Sequence, residues 1–148
     1  MEALELDRAS ILSLRDLLGY HLRRASLRDV AGLAAVLGND IKLVPFTVVC
    51  MVHEFPGITA AEIGRRLSLQ RANLAPLLAD LDSRGLIERQ PDYRDHRIQR
   101  LFLTEQGTRA LAEWRDRVLA HEEENFRALT LDERETLRRL LSKVWQDE

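Results

Sequence analysis

The sequence lacks several features that would assign it to a common class of protein. Its single cysteine, Cys50, excludes an intramolecular disulfide and a cysteine-rich zinc site. No apolar run approaches the ~18 residues that a membrane-spanning helix needs. The acidic residues 1–7 lack the basic start and apolar run of a signal peptide. We therefore expect a cytoplasmic protein that does not bind membranes.

Sequence signatures of enzymes are also missing. There is no Gly-rich phosphate loop, no nucleophile elbow and no supported pair of carboxylates, so we expect no catalytic residue and no cofactor. The four histidines are scattered, and His121-Glu122-Glu123-Glu124 lacks the spacing of a helical zinc pair. We predict no metal site, although a metal-responsive site built across helices stays open as an alternative.

What the sequence has is a globular composition with an uneven distribution of charge. Of its 148 residues, 45% are apolar and 31% charged. The net charge is −2 over residues 1–64, +3 over residues 65–100 and −3 over residues 101–148. A basic middle between acidic flanks indicates a local anion-binding face.

Apolar spacing and helix-capping residues predict a mainly α-helical chain in three parts. Residues 1–44 form an N-terminal helical region for dimerisation and ligand binding, which Gly38 ends. Residues 45–104 form a central domain that opens with Pro45 and a short apolar helix from Phe46 to Phe55. Residues 105–148 form two dimerisation helices, the first capped by Thr104 and the second by a capping box that begins at Thr130.

The central domain has the order of a winged helix-turn-helix. A capping box at Thr59 and Glu62 starts a helix that ends near Ser68, and a second helix runs from about Gln70 to Gly85. Two short runs, residues 86–89 and 98–103, then predict a β-hairpin whose tip, residues 92–97, is charged.

The second helix of such a pair enters the major groove of DNA with its N-terminal residues first. Here these are Gln70, Arg71 and Asn73, whose side chains suit base edges. The alternative is that these residues form a solvated polar face. The second helix lies between a short helix and a basic hairpin, however, and this order favours a role in reading DNA. We also expect Thr59, Ser68 and Arg84 to contact phosphates.

The hairpin carries Arg94, Arg97 and Arg100, and an arginine on a projecting loop can enter the minor groove or bind phosphate. Asp95 beside them would repel phosphate, so we expect it to bind the neighbouring backbone or an arginine and to fix the tip. An ordinary charged turn is the alternative.

These segments resemble the MarR (multiple-antibiotic-resistance regulator) family. The similarity lies in Thr59–Leu67, Leu81–Arg89, the motif Asp92-x-Arg94-Asp95-x-Arg97 and the closing Leu101-x-Leu103-Thr104-x-x-Gly107, and it extends over nearly the whole chain. The resemblance implies a homodimeric transcription regulator, a repressor by family default, with Arg97 as the minor-groove residue. It also implies a pocket for aromatic acids or their CoA thioesters between the dimer helices and the DNA-binding lobe.

Pro76 departs from the family pattern, because many relatives carry an arginine there. A proline inside a helix loses a hydrogen bond, and small Ala72 one turn earlier would ease the steric clash. Pro76 then offers the major groove an apolar surface that suits a thymine methyl group.

Apolar residues crowd both ends of the chain, among them Ile11, Leu14 and Leu18 at the start and Leu140, Val144 and Trp145 at the end. They would fill either an intramolecular core or, as we favour, a core shared by two chains. A symmetric dimer would place its lobes on a pseudo-palindromic operator, with half-sites ~34–36 Å apart.

The first helix carries a candidate ligand site. His21, Arg24 and Arg28 share one face and suit a carboxylate or phosphate, with Tyr20, Phe46 or Trp114 stacking on an aromatic ring. Ion pairs between helices, or a solvated stripe, would explain the same face. A redox regulator that uses Cys50 is an alternative, although that thiol lies in an apolar helix. A helical protein–protein adaptor is another, and salt-sensitive binding to duplex DNA would distinguish it.

Overall fold

The computed structural model describes residues 12–146. Within this range the chain is mainly α-helical with a small antiparallel sheet, as predicted. The helices are α1 (Leu18–Leu37), α2 (Leu43–Glu54), α3 (Ala60–Leu67), α4 (Arg71–Ser83), α5 (Glu105–Asn125) and α6 (Leu131–Trp145), and the strands are β1 (Ile58–Thr59), β2 (Ile87–Pro91) and β3 (Gln99–Leu103). None of these helices is long and apolar enough to cross a bilayer.

Threonine hydroxyls fix the starts of three helices. Thr59 Oγ1 accepts a hydrogen bond from the N–H of Glu62 at 3.3 Å, and Thr104 Oγ1 accepts one at 2.9 Å from the N–H three residues later. Thr130 and Glu133 exchange bonds in both directions, which forms the predicted capping box of α6. The box predicted at Thr59 is formed on the threonine side alone. Each cap of this kind is worth about 1 kcal/mol.

Two elements differ from the prediction. Helix α2 begins at Leu43 rather than Phe46, so Pro45 lies in its first turn, where a missing N–H costs little. Strand β1 is not predicted, because two residues carry too little alternation to indicate a strand. It pairs antiparallel with β3, Ile58 opposite Leu101, and gives the sheet order β1-β3-β2. Strand β1 thereby ties the helix pair to the hairpin.

The core lies beneath the helix pair and the sheet. Helices α1 to α4 and the sheet all contribute side chains that are almost wholly buried, and the largest of these are Leu37, Ile63, Leu81, Ile87, Leu101, Val48, Val49 and Val52. Full burial of a side chain of this size is worth about 1.5–3 kcal/mol. The same core continues into α1 through Leu37 and into α5 through Trp114.

The start of α5 packs closely against the turn between α4 and β2. A Cβ atom at Gly107 would lie 2.1 Å from the carbonyl oxygen of Leu86, a distance that real side chains do not tolerate. The hydroxyl of Thr104 also donates to the carbonyl of Gly85 at 2.5 Å. A glycine is therefore required at position 107, where α5 meets the turn between α4 and β2.

The two ends of the described chain leave large apolar side chains in solvent. Leu18 is 88% exposed at the start of α1, and Val144 and Trp145 are 76% and 70% exposed at the end of α6. Ile11, which we predicted for the same surface, lies outside the described residues. One chain alone therefore does not bury these side chains.

Candidate nucleic-acid interface

Helices α3 and α4 are joined by the short turn that a helix-turn-helix requires. Helix α3 ends at Ser68, whose φ of 52° is left-handed, and the N–H of Leu69 then bonds to the carbonyl of Gly64 at 2.9 Å. A Cβ atom at Gly64 would lie 3.0 Å from the carbonyl oxygen of Leu69, so a small residue there allows the turn to close. Ser68 is exposed at this turn, as a phosphate contact would need.

Helix α4 presents a polar face at its N-terminus. Gln70, Arg71 and Asn73 are all exposed, whereas Leu74 and Leu78 are buried on the opposite side. Among residues 12–146, no hydrogen-bond acceptor holds the guanidinium of Arg71. The face is thus a set of polar side chains that the rest of the described chain leaves accessible.

Pro76 lies on the same exposed face and inside α4, which continues through it to Ser83. It is the sixth residue of the helix, beyond the first turn, so its missing N–H leaves the carbonyl of Ala72 without the usual partner. Ala72 is exposed, which leaves that carbonyl within reach of water. The proline therefore lowers the stability of the helix that would read DNA.

Asp92 organises the hairpin, which we call the wing (residues 87–103). This carboxylate is 7% exposed, and it accepts bonds from the N–H groups of Arg94 and Asp95, both at 3.1 Å, and from Arg100 Nε at 2.7 Å. Arg100, first by that hydrogen bond, holds the pKa of Asp92 below its ordinary value. The sequence does not single out Asp92 in this role, because its partner Arg100 lies eight residues away.

Arg100 joins the wing to the helix pair. Besides binding Asp92, its NH1 group donates to the carbonyl of Gly57 at 3.0 Å, just before β1. Its guanidinium is therefore tied to the base of the wing while its side chain stays 43% exposed, and its contact with DNA stays a prediction.

The other wing arginines lie at the tip. The Nε and NH2 groups of Arg97 donate to the two carboxylate oxygens of Asp95 at 3.0 and 3.1 Å, so Asp95 binds an arginine as expected. The side chain of Arg97 is nevertheless 90% exposed. Arg94 donates to the hydroxyl of the exposed Tyr93 at 2.6 Å, and its guanidinium lies 5.2 Å from that ring.

The three predicted phosphate contacts lie in different settings. Ser68 is exposed at the turn, and Thr59 is half-buried and caps α3. The NH2 group of Arg84, at the end of α4, donates to the carbonyl of Asp40 at 2.6 Å. Because Arg117 of α5 pairs with the Asp40 side chain at 2.6 Å, Asp40 connects α4 with α5.

The predicted ligand residues fall into two separate groups. Tyr20, His21, Arg24 and Arg28 lie together on α1, where Arg24 donates to the hydroxyl of Tyr20 at 3.0 Å and His21 bonds to the carbonyl of Arg15 at 2.8 Å. His21, Arg24 and Arg28 are exposed, and Tyr20 is half-buried.

Phe46 and Trp114 form the other group, between α2 and α5. Trp114 is 4% exposed and meets Phe46 edge to face at 6.4 Å, so it belongs to the core. At 4% exposure Trp114 has little surface left on which a ligand could stack, so its predicted stacking role stays a prediction that this burial does not favour.

A groove of about 690 Å³ lies between α2 and α5 beside Phe46. Apolar side chains line most of it, and no described residue of α1 takes part. The polar groups come from His53, Glu54, Thr108 and Arg115, and the other lining residues are Phe46, Cys50, Leu111, Ala112, Val118 and Leu119. The sequence indicates neither Arg115 nor Leu111 as a site residue. These residues line a groove only because α2 packs beside α5, and this packing cannot be read from the sequence of α5.

Cys50 lines the same groove but has an unreactive thiol. Burial raises its pKa to about 11, so it is protonated at neutral pH. Among residues 12–146, no three His, Cys, Asp or Glu side chains lie close enough to hold a metal ion.

Comparisons with known proteins agree with this geometry. The sequence model of the MarR family matches residues 39–98. The HTH-type transcriptional regulator TtmR of Methylorubrum extorquens (strain PA1) is 37% identical over 99 residues, which are 67% of this chain and 50% of TtmR. The chain thus spans about half the length of that regulator.

Solved structures share the whole architecture. A mutant MarR from E. coli, complexed with operator DNA, superposes with a TM-score of 0.76 at 30% identity, over 87% of this chain and 94% of that one. BpsR of Bordetella bronchiseptica, whose DNA binding is regulated by 6-hydroxynicotinic acid, superposes with a TM-score of 0.83 at 21% identity, over 93% and 99% of the two chains. At that identity the second likeness concerns the fold alone.

Proposed function

The chain belongs to the MarR family of transcriptional regulators, and we propose that it represses transcription in the bacterial cytoplasm as a homodimer on a pseudo-palindromic operator. The family resemblance expected from the sequence motifs is confirmed. Members of this family are regulators and not enzymes. The repressor role, the dimer, the DNA contacts and the effector are our proposals.

The observation that carries the DNA-binding proposal is the exposed N-terminal face of α4. Gln70, Arg71 and Asn73 are exposed and have the chemistry of base readers, and the tip of the wing carries the exposed Arg94 and Arg97. In the proposed complex α4 lies in the major groove while Arg94 and Arg97 reach the minor groove or the phosphates. Thr59, Ser68 and Arg84 contact phosphates at the flanks of the helix pair, and Arg100 fixes the base of the wing.

Selection from a pool of random duplexes tests this proposal. The wild-type chain should enrich a sequence with two-fold symmetry, and Arg71→Ala or Asn73→Ala should weaken binding to it by about 1–3 kcal/mol and relax the preference at particular bases. Arg127→Ala, which removes an exposed arginine after α5, serves as the matched control. A double Arg71→Ala, Asn73→Ala variant that keeps the wild-type preference would contradict the assignment of α4.

The dimer proposal rests on the apolar surface at the chain ends. Leu18, Val144 and Trp145 are exposed, and an open groove of about 600 Å³ between α5 and α6 is lined by Leu119, Phe126, Leu131, Leu137 and Leu141 among others. A second copy would cover these side chains and give the two-fold symmetry that a palindrome requires.

Sedimentation velocity tests the dimer. Val144→Glu places a charge in the proposed interface and should shift the chain toward monomer. Gln146→Glu adds the same charge two residues away and should leave the dimer intact, because Gln146 follows the end of α6. A wild-type chain that sediments as a monomer would contradict the proposal.

For the effector we propose a small anionic aromatic compound bound in the α2–α5 groove. Phe46, Leu111 and Val118 offer an apolar wall, and Arg115 at the same groove suits a carboxylate. The regulation of BpsR by 6-hydroxynicotinic acid motivates the choice of aromatic acids. The cationic face of α1, with Tyr20, His21, Arg24 and Arg28, is the second candidate, since two guanidiniums there share one exposed face.

Calorimetry with a panel of phenolic acids and their CoA thioesters distinguishes the two sites. Arg115→Ala should abolish binding if the groove is the site, with Arg24→Ala unaffected. The reverse result would place the effector on α1. An effector that binds both variants as tightly as wild type would exclude both sites.

A further inference from the structure

Helix α4 carries an acidic residue on the face that is proposed to read DNA. Asn73, Pro76 and Asp80 follow one another at spacings of three and four residues, so they share one face of the helix. All three are exposed, whereas Leu74 and Leu81 are buried on the opposite side. A carboxylate on this face would lie near phosphates, which repel it. Neither charge nor burial explains an aspartate at this position.

The charge of Asp80 is not neutralised by the rest of the described chain. Arg84, one turn later, is the partner that helix geometry would supply, but its NH2 group donates instead to the carbonyl of Asp40 at 2.6 Å. Arg89 of β2 pairs with Asp82 at 3.5 Å. Among residues 12–146, no basic side chain forms an ion pair with Asp80. Both arginines that lie near Asp80 in the sequence are thus engaged elsewhere.

Stability of the helix does not account for Asp80 either. This residue lies in the last turn of α4, which ends at Ser83, and a negative charge there meets the negative end of the helix dipole. The hydroxyl of Ser83 donates to the backbone carbonyl of Asp80 at 2.9 Å and not to its carboxylate. The oxygens of that carboxylate are therefore available to accept hydrogen bonds from a ligand.

Cytosine is the base whose major-groove edge best suits a carboxylate. Its N4 amino group donates and it presents no acceptor there, whereas guanine presents the acceptors O6 and N7 and thymine presents the acceptor O4. Adenine presents one donor and one acceptor. Because an ionised carboxylate only accepts, it attracts the amino group of cytosine and is repelled by guanine and thymine.

We infer that Asp80 is a specificity-determining residue that selects a cytosine in each half-site of the operator, and this inference rests on the proposed function of α4. Asp80 follows Asn73 by seven residues, a rise of about 10.5 Å along the helix. This rise matches about three base pairs of a duplex. The selected cytosine therefore lies about three base pairs from the base that Asn73 contacts. The same carboxylate weakens binding to duplexes without that cytosine.

Selection from a pool of random duplexes tests the inference with wild type, Asp80→Ala and Asp80→Asn. Wild type should favour cytosine by at least about five-fold at one position of each half-site, the usual effect of one base contact. That position should lie about three base pairs from the one whose preference Asn73→Ala relaxes. Asp80→Ala should lose the preference for cytosine there and nowhere else. Asp80→Asn should change it to adenine, because an amide accepts from N6 and donates to N7.

A selected duplex with N4-methylcytosine at that position tests the contact itself. The methyl group replaces the N–H that faces the major groove, while the base still pairs with guanine. The affinity of wild type should fall by at least about five-fold, and that of Asp80→Ala should not change. Asp116→Ala, which removes an exposed acid from α5, is the matched control and should behave as wild type. Thermal unfolding followed by circular dichroism verifies that each variant is folded.

The outcomes distinguish this inference from the proposed function. If both Asp80 variants select the same duplex as wild type, or if wild type selects a base other than cytosine at that position, Asp80 does not select cytosine. Altered selection by Arg71→Ala and Asn73→Ala would in that case still support α4 as the reading helix. If no substitution in α4 changes the selected sequence, the proposed role of α4 is wrong.

Discussion

The imidazole of His121 lies against the backbone of Gly32, with its Nε2 atom 3.1 Å from Oδ1 of Asp29. The side chain of His121 is 8% exposed, and Asn125 one turn later donates to the same Asp29 oxygen at 3.4 Å. This contact joins α1 to α5, the two long helices that lead away from the DNA-binding lobe.

Gly32→Ala tests how tightly that junction is packed. The new Cβ atom would lie 2.2 Å from His121 Cε1, and the ring is held by Asp29. Overpacking of this kind costs about 1–3 kcal/mol, against a gain of about 1 kcal/mol from helix propensity, so we expect lower stability in urea unfolding. Gly19→Ala is the matched control, since its Cβ atom meets only the mobile end of Arg23. An equal increase in unfolding free energy in Gly32→Ala and Gly19→Ala would refute the prediction.

Asp92→Asn should destabilise the chain at neutral pH and not in acid. Arg100 lowers the pKa of Asp92, so its contribution to folding is present above the ordinary value of 3.8 and is lost as the pH falls through the lower pKa of the folded state. Urea unfolding of wild type and variant between about pH 5 and pH 2 should show the two stabilities converging. If the difference in unfolding free energy between wild type and variant stays constant across this range, the ionised form of Asp92 is not what stabilises the wing.

Cys50 should react slowly with thiol reagents while the chain is folded. A pKa of about 11, against an ordinary value of 9.0, reduces the thiolate present at neutral pH about 100-fold. Alkylation by iodoacetamide should therefore be slower than in the urea-unfolded chain by a similar factor. Peroxide that releases wild type from DNA, but not Cys50→Ser, would favour the redox alternative instead.

Pro76→Ala should stabilise the chain. It restores the N–H that the carbonyl of Ala72 lacks in α4, which is worth up to about 3 kcal/mol in a helix interior. Pro76→Gly also restores the N–H, but it should gain about 1 kcal/mol less because of its backbone freedom. Thermal unfolding measures both. If neither variant changes the melting temperature, α4 accommodates Pro76 without a loss of stability.

Local signals in the sequence predicted most of the fold. The caps at Thr104 and Thr130 and the left-handed Gly85 marked helix ends correctly, because each acts within a few residues of the chain. Strand β1 escaped prediction because its pairing with β3 is non-local. The same holds for Arg100, whose bond to Gly57 spans 43 residues and draws it into the base of the wing.

The exposed polar face of α4 was easier to predict than the groove between α2 and α5. Gln70, Arg71 and Asn73 lie within four residues, so the period of one helix suffices to place them together. The α2–α5 groove depends on how two helices separated by the whole lobe pack against each other. Residue type alone suggested Trp114 as a stacking partner, but its burial could be learned only from the packed core.

The close contact between Gly107 and the carbonyl oxygen of Leu86 affects how such lobes can be exchanged between relatives. A graft that ends at residue 104 would separate the lobe from the helical turn that closes it, and any side chain larger than hydrogen at position 107 would strike a carbonyl oxygen. A transplanted lobe should therefore include the first turn of α5. The segment that must be transferred is thus longer than the segment proposed to contact DNA.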